Sequence, residues 1–346
     1  MVQDMIQNKK YYKFGITNLK GGTDDSVAVL LDGKQYTPEQ ISAEILKELK
    51  KEAEEKLGDE VTHAVVTVPA YFTEKQKNAT RIAAQLAGLK VQKLLAEPTA
   101  AAIAYGVDKL KIGDSKTVLI YDFGGGTFDL SILNIVDGQY MEAGTGGDRW
   151  LGGDNIDQTL QNLLYKKVEE EYNIEDLNAL VQKMQKAKRD ALEAEIRSEA
   201  EKAKIQLSSS KTADIYIPNQ LIDENGDIID IEFEIERDEF EKAIRTMIDK
   251  TINLIDELLN ELGYEISMID NIILVGGSSC IPLVKQLLSK KYGSDKILLS
   301  EKPMLAVAEG AAILSHRLGD KYEAPLEISN SVDEISCSTN HNYFIE

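Results

Sequence analysis

Cysteine and histidine are scarce in this chain, which contains two cysteines, Cys280 and Cys337, and three histidines. Two cysteines cannot build the disulfide framework of a secreted domain, so we expect the cytoplasm, with an organelle matrix as the alternative. His63, His316 and His341 lie far apart in the sequence and show no metal-ligand spacing. The composition therefore predicts neither a disulfide scaffold nor a zinc site.

Long apolar runs and clusters of basic residues are missing as well. No apolar stretch is long enough to cross a bilayer, and the amino terminus lacks the apolar segment of a signal peptide. The net charge of −20 argues against nucleic acid as a partner, because phosphate backbones are bound by clustered lysine and arginine. The chain also contains no Walker A sequence and no recognisable nucleophilic triad. We expect a globular protein with no membrane partner and, at 346 residues, with two or more structural units.

Strand-like and helix-like segments alternate along the first part of the chain. Thr37 and Thr73 are each followed three residues later by glutamine, which is typical of a capping box at the start of a helix. The β-branched run that ends at Pro69 predicts a strand, and a helix is expected from Glu97 onwards. This alternation of strands and helices predicts an α/β fold.

The segment Tyr121–Leu130, YDFGGGTFDL, is the most informative part of the sequence. An alternating apolar run ends in Asp122, and a glycine turn with Thr127 and Asp129 leads into a second alternating run. Glycines allow backbone N–H groups to surround a phosphate, and two carboxylates at strand ends can hold Mg²⁺ through its waters. The alternative is a plain glycine-rich hairpin.

A second glycine turn follows the strand-like run of residues 271–275. Gly276 and Gly277 lie between this run and a helix start, where backbone amides favour an anion or the polar edge of a nucleotide. A simple tight turn is the alternative. Because a similar module lies at 117–135, the two modules suggest two related lobes around a cleft.

Two further groups have both a structural and a functional interpretation. Glu201, Lys204 and Ser208 are spaced as on one helix face, which is either a solvated surface or a binding surface. Glu97 precedes Pro98, where its charge can stabilise the helix amino terminus or serve as a metal-water or catalytic carboxylate.

Six collinear motifs closely resemble the nucleotide-binding domain of the seventy-kilodalton heat-shock chaperones, the DnaK type. The resemblance extends from about Tyr11 to Leu318. The motifs are VVTVPAYF (Val65–Phe72), LLAEPTAAAIAYG (Leu94–Gly106), YDFGGGTFDLSIL (Tyr121–Leu133), LGGDNID (Leu151–Asp157), EKAKIQLSSS (Glu201–Ser210) and ILVGGSSCIPLV (Ile273–Val284).

The resemblance implies an actin-like, ribonuclease H-like α/β fold in which two lobes hold ATP or ADP and Mg²⁺. It implies that Asp122 and Glu97 hold Mg²⁺ through water. Thr127 would contact the γ-phosphate, with Asp129 as a further catalytic acid. The other implied nucleotide contacts are Gly124, Gly125, Gly126, Gly152, Gly153, Glu201, Lys204, Ser208, Gly277 and Ser278. Water would attack in line, aided by the metal and positioned donors.

The implied organisation departs from the family at both ends of the chain. The expected parts are a partial first lobe at 1–116, a second lobe at 117–318 with a helical and hairpin insertion at about 157–238, and a tail at 319–346. The family's first phosphate loop and catalytic lysine have no counterpart before Tyr11, so we expect an incomplete first lobe. The final stretch, EISCSTNHNYFIE, alternates like a strand without a partner, and we expect it to begin an absent peptide-binding domain.

Four positions within the motifs also depart from the family. Cys280 stands where an arginine usually stacks on the adenine, and Met304 replaces a customary acid near the sugar and base. Lys77 stands where an arginine usually couples the nucleotide state to the partner domain, and Trp150 stands where a histidine is more usual.

Two functional hypotheses follow from the resemblance. The first is an ATP-hydrolysing chaperone domain whose nucleotide state controls a peptide-binding domain, with a J-domain co-chaperone and a nucleotide exchange factor as partners. Peptide clients would be bound only through the absent domain. The second is a non-catalytic module that docks an exchange factor or co-chaperone. A third alternative is an inactive, unstable fragment, because missing strands expose a sheet edge.

Overall fold

The computed structural model describes residues 15–22, 26–106, 114–222, 228–319 and 343–344, which form a mixed α/β structure. The chain divides into two compact units, the first drawn from residues 1–109 and 306–346 and the second from residues 110–305. The division into lobes at 1–116 and 117–318 stays a prediction. The compact units have different bounds, because residues 306–318, which were predicted to belong to the second lobe, are part of the first unit.

The first unit contains an antiparallel sheet, a parallel sheet and the helices that pack on them. β1 and β3 flank β2 in the antiparallel sheet, while β13, β4 and β5 form the parallel one. The elements of this unit are β1 (Gly15–Asn18), β2 (Val27–Leu31), β3 (Lys34–Tyr36), α1 (Pro38–Leu57), β4 (His63–Val68), α2 (Glu74–Leu86), β5 (Lys90–Ala96), α3 (Glu97–Ala104), α9 (Ala306–Gly319) and β13 (Tyr343–Phe344).

Both predicted capping boxes are present at the starts of α1 and α2. The backbone N–H of Thr37 donates to Oε1 of Gln40 at 2.9 Å, and the hydroxyl of Thr37 accepts from the N–H of Gln40 at 3.3 Å. The same reciprocal bonds join Thr73 and Gln76, with 3.0 and 3.4 Å between the bonded atoms. Each box satisfies two amide groups that the helix would otherwise leave unpaired.

β4 is buried and ends immediately before Pro69, as its sequence predicted. Its residues from His63 to Val66 are at most 5% exposed, as expected for a parallel strand that is covered on both faces. On the side away from β5, Tyr343 and Phe344 pair with Ala64 and Val65. The prediction that the tail has no strand partner is therefore wrong for these two residues.

Helix α9 packs against α3 at a glycine. A Cβ atom added to Gly310 would lie 1.8 Å from the carbonyl oxygen of Ala100, so the two backbones touch directly. Small residues on both helices, including the fully buried Ala101 and Ala311, permit this approach. A segment that follows the second unit in the sequence thus completes the core of the first unit.

The second unit is built around a five-stranded sheet in the order β12–β11–β6–β7–β8. Its elements are β6 (Ser115–Phe123), β7 (Phe128–Val136), β8 (Gln139–Asp148), α4 (Gly153–Glu171), α5 (Leu177–Lys183), α6 (Lys186–Ser209), β9 (Thr212–Ile222), β10 (Ile228–Glu236), α7 (Arg237–Leu262), β11 (Asn271–Val275), α8 (Pro282–Tyr292) and β12 (Ile297–Leu299). β9 and β10 form a separate antiparallel pair, as expected for the predicted hairpin insertion.

Aromatic packing holds the β6–β7 hairpin in the core of the second unit. Tyr121, Phe123 and Phe128 are fully buried, and their rings meet edge to face with centroids 4.7 to 6.2 Å apart. Such contacts add to the stabilisation from burial alone. The strand ends on either side of the glycine turn are therefore held in place by the core.

We expect Gly310→Ala to lower the free energy of unfolding by about 1–3 kcal/mol, because the new methyl group would overpack the α3–α9 contact. Helix propensity alone predicts the opposite sign, since alanine is favoured over glycine in a helix by about 1 kcal/mol. Urea denaturation measures the difference. Ala312→Gly, at an exposed position of the same helix, serves as a control that reports propensity only. A stabilised Gly310→Ala variant would contradict the close contact.

We expect the stability of the protein to fall as the pH drops below about 6.5, in part because of His63. Burial, followed by the charge of its ladder neighbour Lys90, lowers the pKa of the His63 imidazole in the folded state. The unfolded chain therefore takes up this proton at higher pH than the folded chain. The stability that the neutral ring contributes is present above pH 6.5 and is lost as the pH falls through the folded pKa.

His63→Asn tests this assignment. Asparagine does not titrate and can still bond to the hydroxyl of Thr62, whose oxygen lies 2.9 Å from Nδ1 of His63. Denaturation curves measured between pH 7.5 and 5 should show a shallower loss of stability for the variant. Parallel curves for the two proteins would show that His63 contributes nothing to the pH dependence.

Candidate functional site

Two glycine turns lie at the same edge of the central sheet of the second unit. β6 and β11 are parallel neighbours, with Asp122 paired in register with Val275. Because parallel strands end at the same edge, the turn Gly124–Gly126 after β6 lies beside Gly276 and Gly277 after β11. The hydroxyl of Ser278 donates to the carbonyl oxygen of Gly124 at 2.9 Å, which joins the two turns directly.

A third glycine segment packs onto these turns from the start of α4. The N–H of Gly153 donates to the carbonyl oxygen of Gly124 at 3.0 Å, and the N–H of Asp154 donates to that of Gly125 at 2.7 Å. The carbonyl groups of the first turn are thus used by protein partners. Within the described residues, no acceptor is paired with the backbone N–H of Gly125, Gly126 or Thr127.

Only glycine fits at two of these contacts. A Cβ atom at Gly152 would lie 2.4 Å from the carbonyl oxygen of Gly125. At Gly276, where φ is +84°, it would lie 2.4 Å from the carbonyl oxygen of Phe123 and 2.8 Å from Oδ1 of Asp122. By contrast, Cβ atoms at Gly125 and Gly126 would meet no atom within 4 Å. The packed glycines therefore hold the turn in place, while Gly125 and Gly126 themselves are exposed.

The predicted acids Asp122 and Asp129 face each other across the hairpin. They are direct cross-strand partners of β6 and β7, and both are half-buried. Burial raises the pKa of the Asp129 carboxyl, although a hydrogen bond from Thr127 and the charge of Arg149 act in the opposite direction. The hydroxyl of Thr127 donates to Oδ2 of Asp129 at 2.7 Å. Thr127 therefore orients Asp129, and its predicted contact with a γ-phosphate remains a prediction.

Lys204 of α6 reaches the glycine segments and forms an ion pair there. Its Nζ lies 2.8 and 2.9 Å from the two carboxylate oxygens of Asp157, and the two side chains are 15% and 13% exposed. A Cβ atom at Gly153 would lie 3.5 Å from this Nζ and 2.9 Å from Oγ of Ser278. The lysine and Ser278 thus both lie beside Gly153.

The other predicted residues of α6 are arranged around this pair. The hydroxyl of Ser208 donates to the carbonyl oxygen of Lys204 at 3.0 Å, and Glu201 is exposed. Burial raises the pKa of the Asp157 carboxyl more than Lys204 lowers it, and the charges of Glu201 and Asp154 add to the rise. The sequence analysis missed Asp157 as a site residue. Its position one helical turn after Gly153, on the same face of α4, was the available signal.

Two of the positions that depart from the family lie at the second glycine turn. A Cβ atom at Gly277 would lie 3.2 Å from the sulfur of Met304, whose side chain is 64% exposed. Cys280 ends the short 3₁₀ turn that begins at Gly277. It is half-buried, and burial raises the pKa of its thiol. An apolar side chain and a neutral thiol therefore border this part of the site.

Glu97 belongs to the first unit, where it begins α3 directly after β5. Ala96 pairs with Val68, so Glu97 and Pro69 follow neighbouring strand ends. Lys77 lies on α2, where its ammonium group is 2.9 Å from a carboxylate oxygen of Glu74. The predicted role of Glu97 in the water shell of a metal remains a prediction.

The donor set of the second unit fits a hydrated Mg²⁺ and a nucleotide phosphate. Across the described ranges, no group of three or more His, Cys, Asp or Glu side chains could hold a metal directly. Mg²⁺ keeps several waters, however, so the paired carboxylates Asp122 and Asp129 are sufficient for contact through water. Free backbone amides over an open surface suit phosphate oxygens. Among the described helices, none is both long and apolar enough to span a membrane.

This geometry defines an α/β protein with a glycine-rich site at the carboxyl ends of parallel strands. Comparison with known proteins is more specific, because the family model described as Hsp70 protein matches residues 2–329. The chain belongs to the Hsp70 family. The predicted α/β, actin-like fold class is confirmed by this membership and by the observed elements.

Several curated relatives are described as chaperone protein DnaK. The one from Thermotoga neapolitana is 42% identical over 294 residues, which cover 85% of this chain and 47% of the relative. The one from Ureaplasma urealyticum is 41% identical over 292 residues, which cover 84% and 46%. The one from Mycoplasma mycoides is 42% identical over 302 residues, which cover 86% and 48%. The chain therefore spans about half the length of these relatives.

The Asp157–Lys204 pair predicts a coupled stability effect. Asp157→Asn and Lys204→Met should each lower the free energy of unfolding by about 1–3 kcal/mol, since each leaves a partner without its charge-assisted hydrogen bonds. The double variant should lose less than the sum, with a coupling of about 1 kcal/mol or more. The exposed pair Arg245–Asp249 is a matched control, and its coupling should stay near 0.5 kcal/mol. Additive losses at Asp157 and Lys204 would refute the coupling.

Proposed function

We propose that this chain binds ATP or ADP together with Mg²⁺ and hydrolyses ATP. Members of the Hsp70 family are ATPases, which supports the proposal at the level of the family. The observation that carries it for this chain is the row of amides from Gly125 to Thr127, none of which is bonded to an acceptor among the residues that the structure describes. Gly125 and Gly126 are exposed, and the packed glycines on either side hold the turn in position.

The proposed roles follow the arrangement around these amides. The β- and γ-phosphate oxygens would accept from the turn Gly124–Gly126, with Gly152, Gly153, Gly277 and Ser278 lining the same surface. Asp122 is at the end of β6, where its carboxylate would accept hydrogen bonds from a metal-bound water or orient the attacking water. Asp129 is oriented by the hydroxyl of Thr127. Its carboxylate would contact the waters around the metal, next to Asp122.

The nucleoside would lie on the α6 side of the second unit. Glu201 and Ser208 would border the ribose, and the ammonium group of Lys204 has further protons to donate while it remains paired with Asp157. Met304 and Cys280 would offer polarizable contacts to the base. Glu97 of the first unit is proposed, on the family resemblance alone, to act in the metal's water shell.

The opposed carboxylates of Asp122 and Asp129 support a role for a cation. The two acids are direct cross-strand partners, and both are half-buried. Carboxylate oxygens at this separation can accept hydrogen bonds from metal-bound waters. A bound Mg²⁺ would supply neutralisation of charge on the phosphate oxygens. Metal and nucleotide are therefore expected to bind together.

The role of the whole protein is also a proposal, because the chain spans only about half the length of its relatives. We propose that the nucleotide state would control a peptide-binding domain, and that a J-domain co-chaperone and a nucleotide exchange factor would be partners. Clients would be bound through that domain, and the compartment would be the cytoplasm.

A non-catalytic binding module is the second candidate, and one observation favours it. The proton of the Thr127 hydroxyl is donated to Asp129 and the ammonium of Lys204 is paired with Asp157. Two groups that could stabilise a transferring phosphoryl group are thus engaged elsewhere. Loss of one cationic stabiliser can cost roughly 10³-fold or more in rate. This candidate would bind nucleotide or a protein partner without turnover.

Calorimetry with Mg²⁺-ATP tests nucleotide binding directly. We expect micromolar or tighter binding, which should be lost in Asp122→Ala and weakened at least about tenfold in Gly126→Ala, because the new methyl group occupies the phosphate surface. Gly126→Ala should leave the melting temperature unchanged, since its Cβ meets no protein atom. Asp214→Ala, an exposed acid of the same unit, is the charge control. No binding by a folded sample would refute the proposal.

Single-turnover hydrolysis then separates the two candidates. Release of phosphate from bound ATP that depends on Asp122 supports the ATPase, whereas tight binding without release supports the non-catalytic module.

A further inference from the structure

The proposed nucleotide site of the second unit would place phosphate groups beside acidic side chains. Lys204 approaches Gly153, but both carboxylate oxygens of Asp157 hold its ammonium group. A bound nucleotide would bring several negative charges to a site that already contains Asp122 and Asp129. The turn that links β8 to α4 carries another cation, Arg149, which the sequence analysis did not consider.

This turn is anchored to the hairpin that carries the phosphate-binding amides. In the β7–β8 ladder, Asp129 is paired with Gly147 and Phe128 with Asp148. Gly147 has a φ of +129°, and a Cβ atom there would lie 2.2 Å from the carbonyl oxygen of Phe128. The chain therefore passes directly over the base of the hairpin immediately before it reaches Arg149.

Hydrogen bonds to the side chain and the backbone of Asp148 fix the turn that carries Arg149. Oδ1 of Asp148 accepts from the N–H of Trp150 at 2.9 Å, and its Oδ2 accepts from Nζ of Lys250 at 2.5 Å. The carbonyl oxygen of Asp148 accepts from the N–H of Leu151 at 3.2 Å. One residue later, Gly152 is packed against Gly125 and Gly126. Arg149 is thus held between two fixed contacts with the hairpin.

The side chain of Arg149 is exposed. Its backbone lies between Gly147, which packs on Phe128, and Gly152, which packs on Gly125 and Gly126, so the side chain starts beside the amides of the turn. No acceptor within the described residues is bonded to it. A guanidinium offers five donors in a planar fork and binds phosphate oxygens in pairs. Such a fork can bind the phosphate oxygens of a ligand held at the neighbouring turn.

We propose that Arg149 binds the terminal phosphate groups of the nucleotide held at Gly124–Gly126. This inference rests on the proposed function and makes it more specific. The site would select nucleoside di- and triphosphates over the monophosphate and the nucleoside, because only the former extend to the turn at Arg149.

Calorimetry with four ligands, namely ATP and ADP with Mg²⁺, AMP and adenosine, tests the inference. Arg149→Ala should weaken ATP and ADP about tenfold or more, since a charge-assisted hydrogen bond contributes about 1.5–3 kcal/mol. AMP and adenosine should bind as in the wild type. Arg149→Lys should recover part of the loss, because it keeps the charge without the fork. Arg245→Ala, which removes an exposed guanidinium on α7, is the matched control and should change nothing.

The outcomes distinguish this inference from the proposed function. If the wild type binds Mg²⁺-ATP and Arg149→Ala binds it within twofold as tightly, the role of Arg149 is refuted and the nucleotide site stands. Equal weakening of all four ligands would show that Arg149 only maintains the fold, and would also refute it. If the folded wild type binds none of the ligands, both proposals fail. Selective loss of ATP and ADP affinity supports both.

Discussion

Backbone-to-backbone packing among three glycine segments is the contact on which the site of the second unit depends. Gly152 touches Gly125 and Gly126, and Gly276 touches Phe123, at distances that leave no room for a side chain. The carbonyl groups of Gly124 and Gly125 accept hydrogen bonds from Gly153, Asp154 and Ser278. In the part of the chain that the structure describes, the amides from Gly125 to Thr127 have no bonded acceptor and remain available to a ligand. The close packing of the glycine segments thus fixes the positions of the amide donors in the turn. Little reorganisation is therefore required when a ligand binds to them.

Charge sets the second condition for this site. The protein carries a net charge of −20, and the site itself contains Asp122, Asp129 and the Asp157–Lys204 pair. An anionic ligand can bind in such surroundings only if dipoles and cations offset the repulsion. Backbone amides, a metal ion and Arg149 would share that task in the proposals made above. The surrounding negative charge would then favour ligands that arrive together with a divalent cation.

Signals that depend on near neighbours in the sequence predicted the local structure well. The Thr–Gln caps, the strand that ends at Pro69 and the strands around Gly124–Gly126 were all predicted, because each depends on a few adjacent residues. The partners of individual side chains were not predictable in the same way. Asp157 meets Lys204, which lies 47 positions further along the chain, and only the packing of α4 on α6 brings them together. The pairing of Tyr343–Phe344 with β4 likewise depends on tertiary structure.

The close contact between Gly310 and Ala100 also bears on the order of events during protein synthesis. Helix α9 is translated only after the whole second unit, yet it covers α3 in the first. At about 5–20 residues per second, a ribosome needs on the order of 10–40 s to travel from α3 to α9. During that interval the small-residue surface of α3 has no helix to cover it. The first unit can therefore reach its final packing only after the second unit has been synthesised. The time at which α9 leaves the ribosome sets the earliest time at which the first unit can complete its folding.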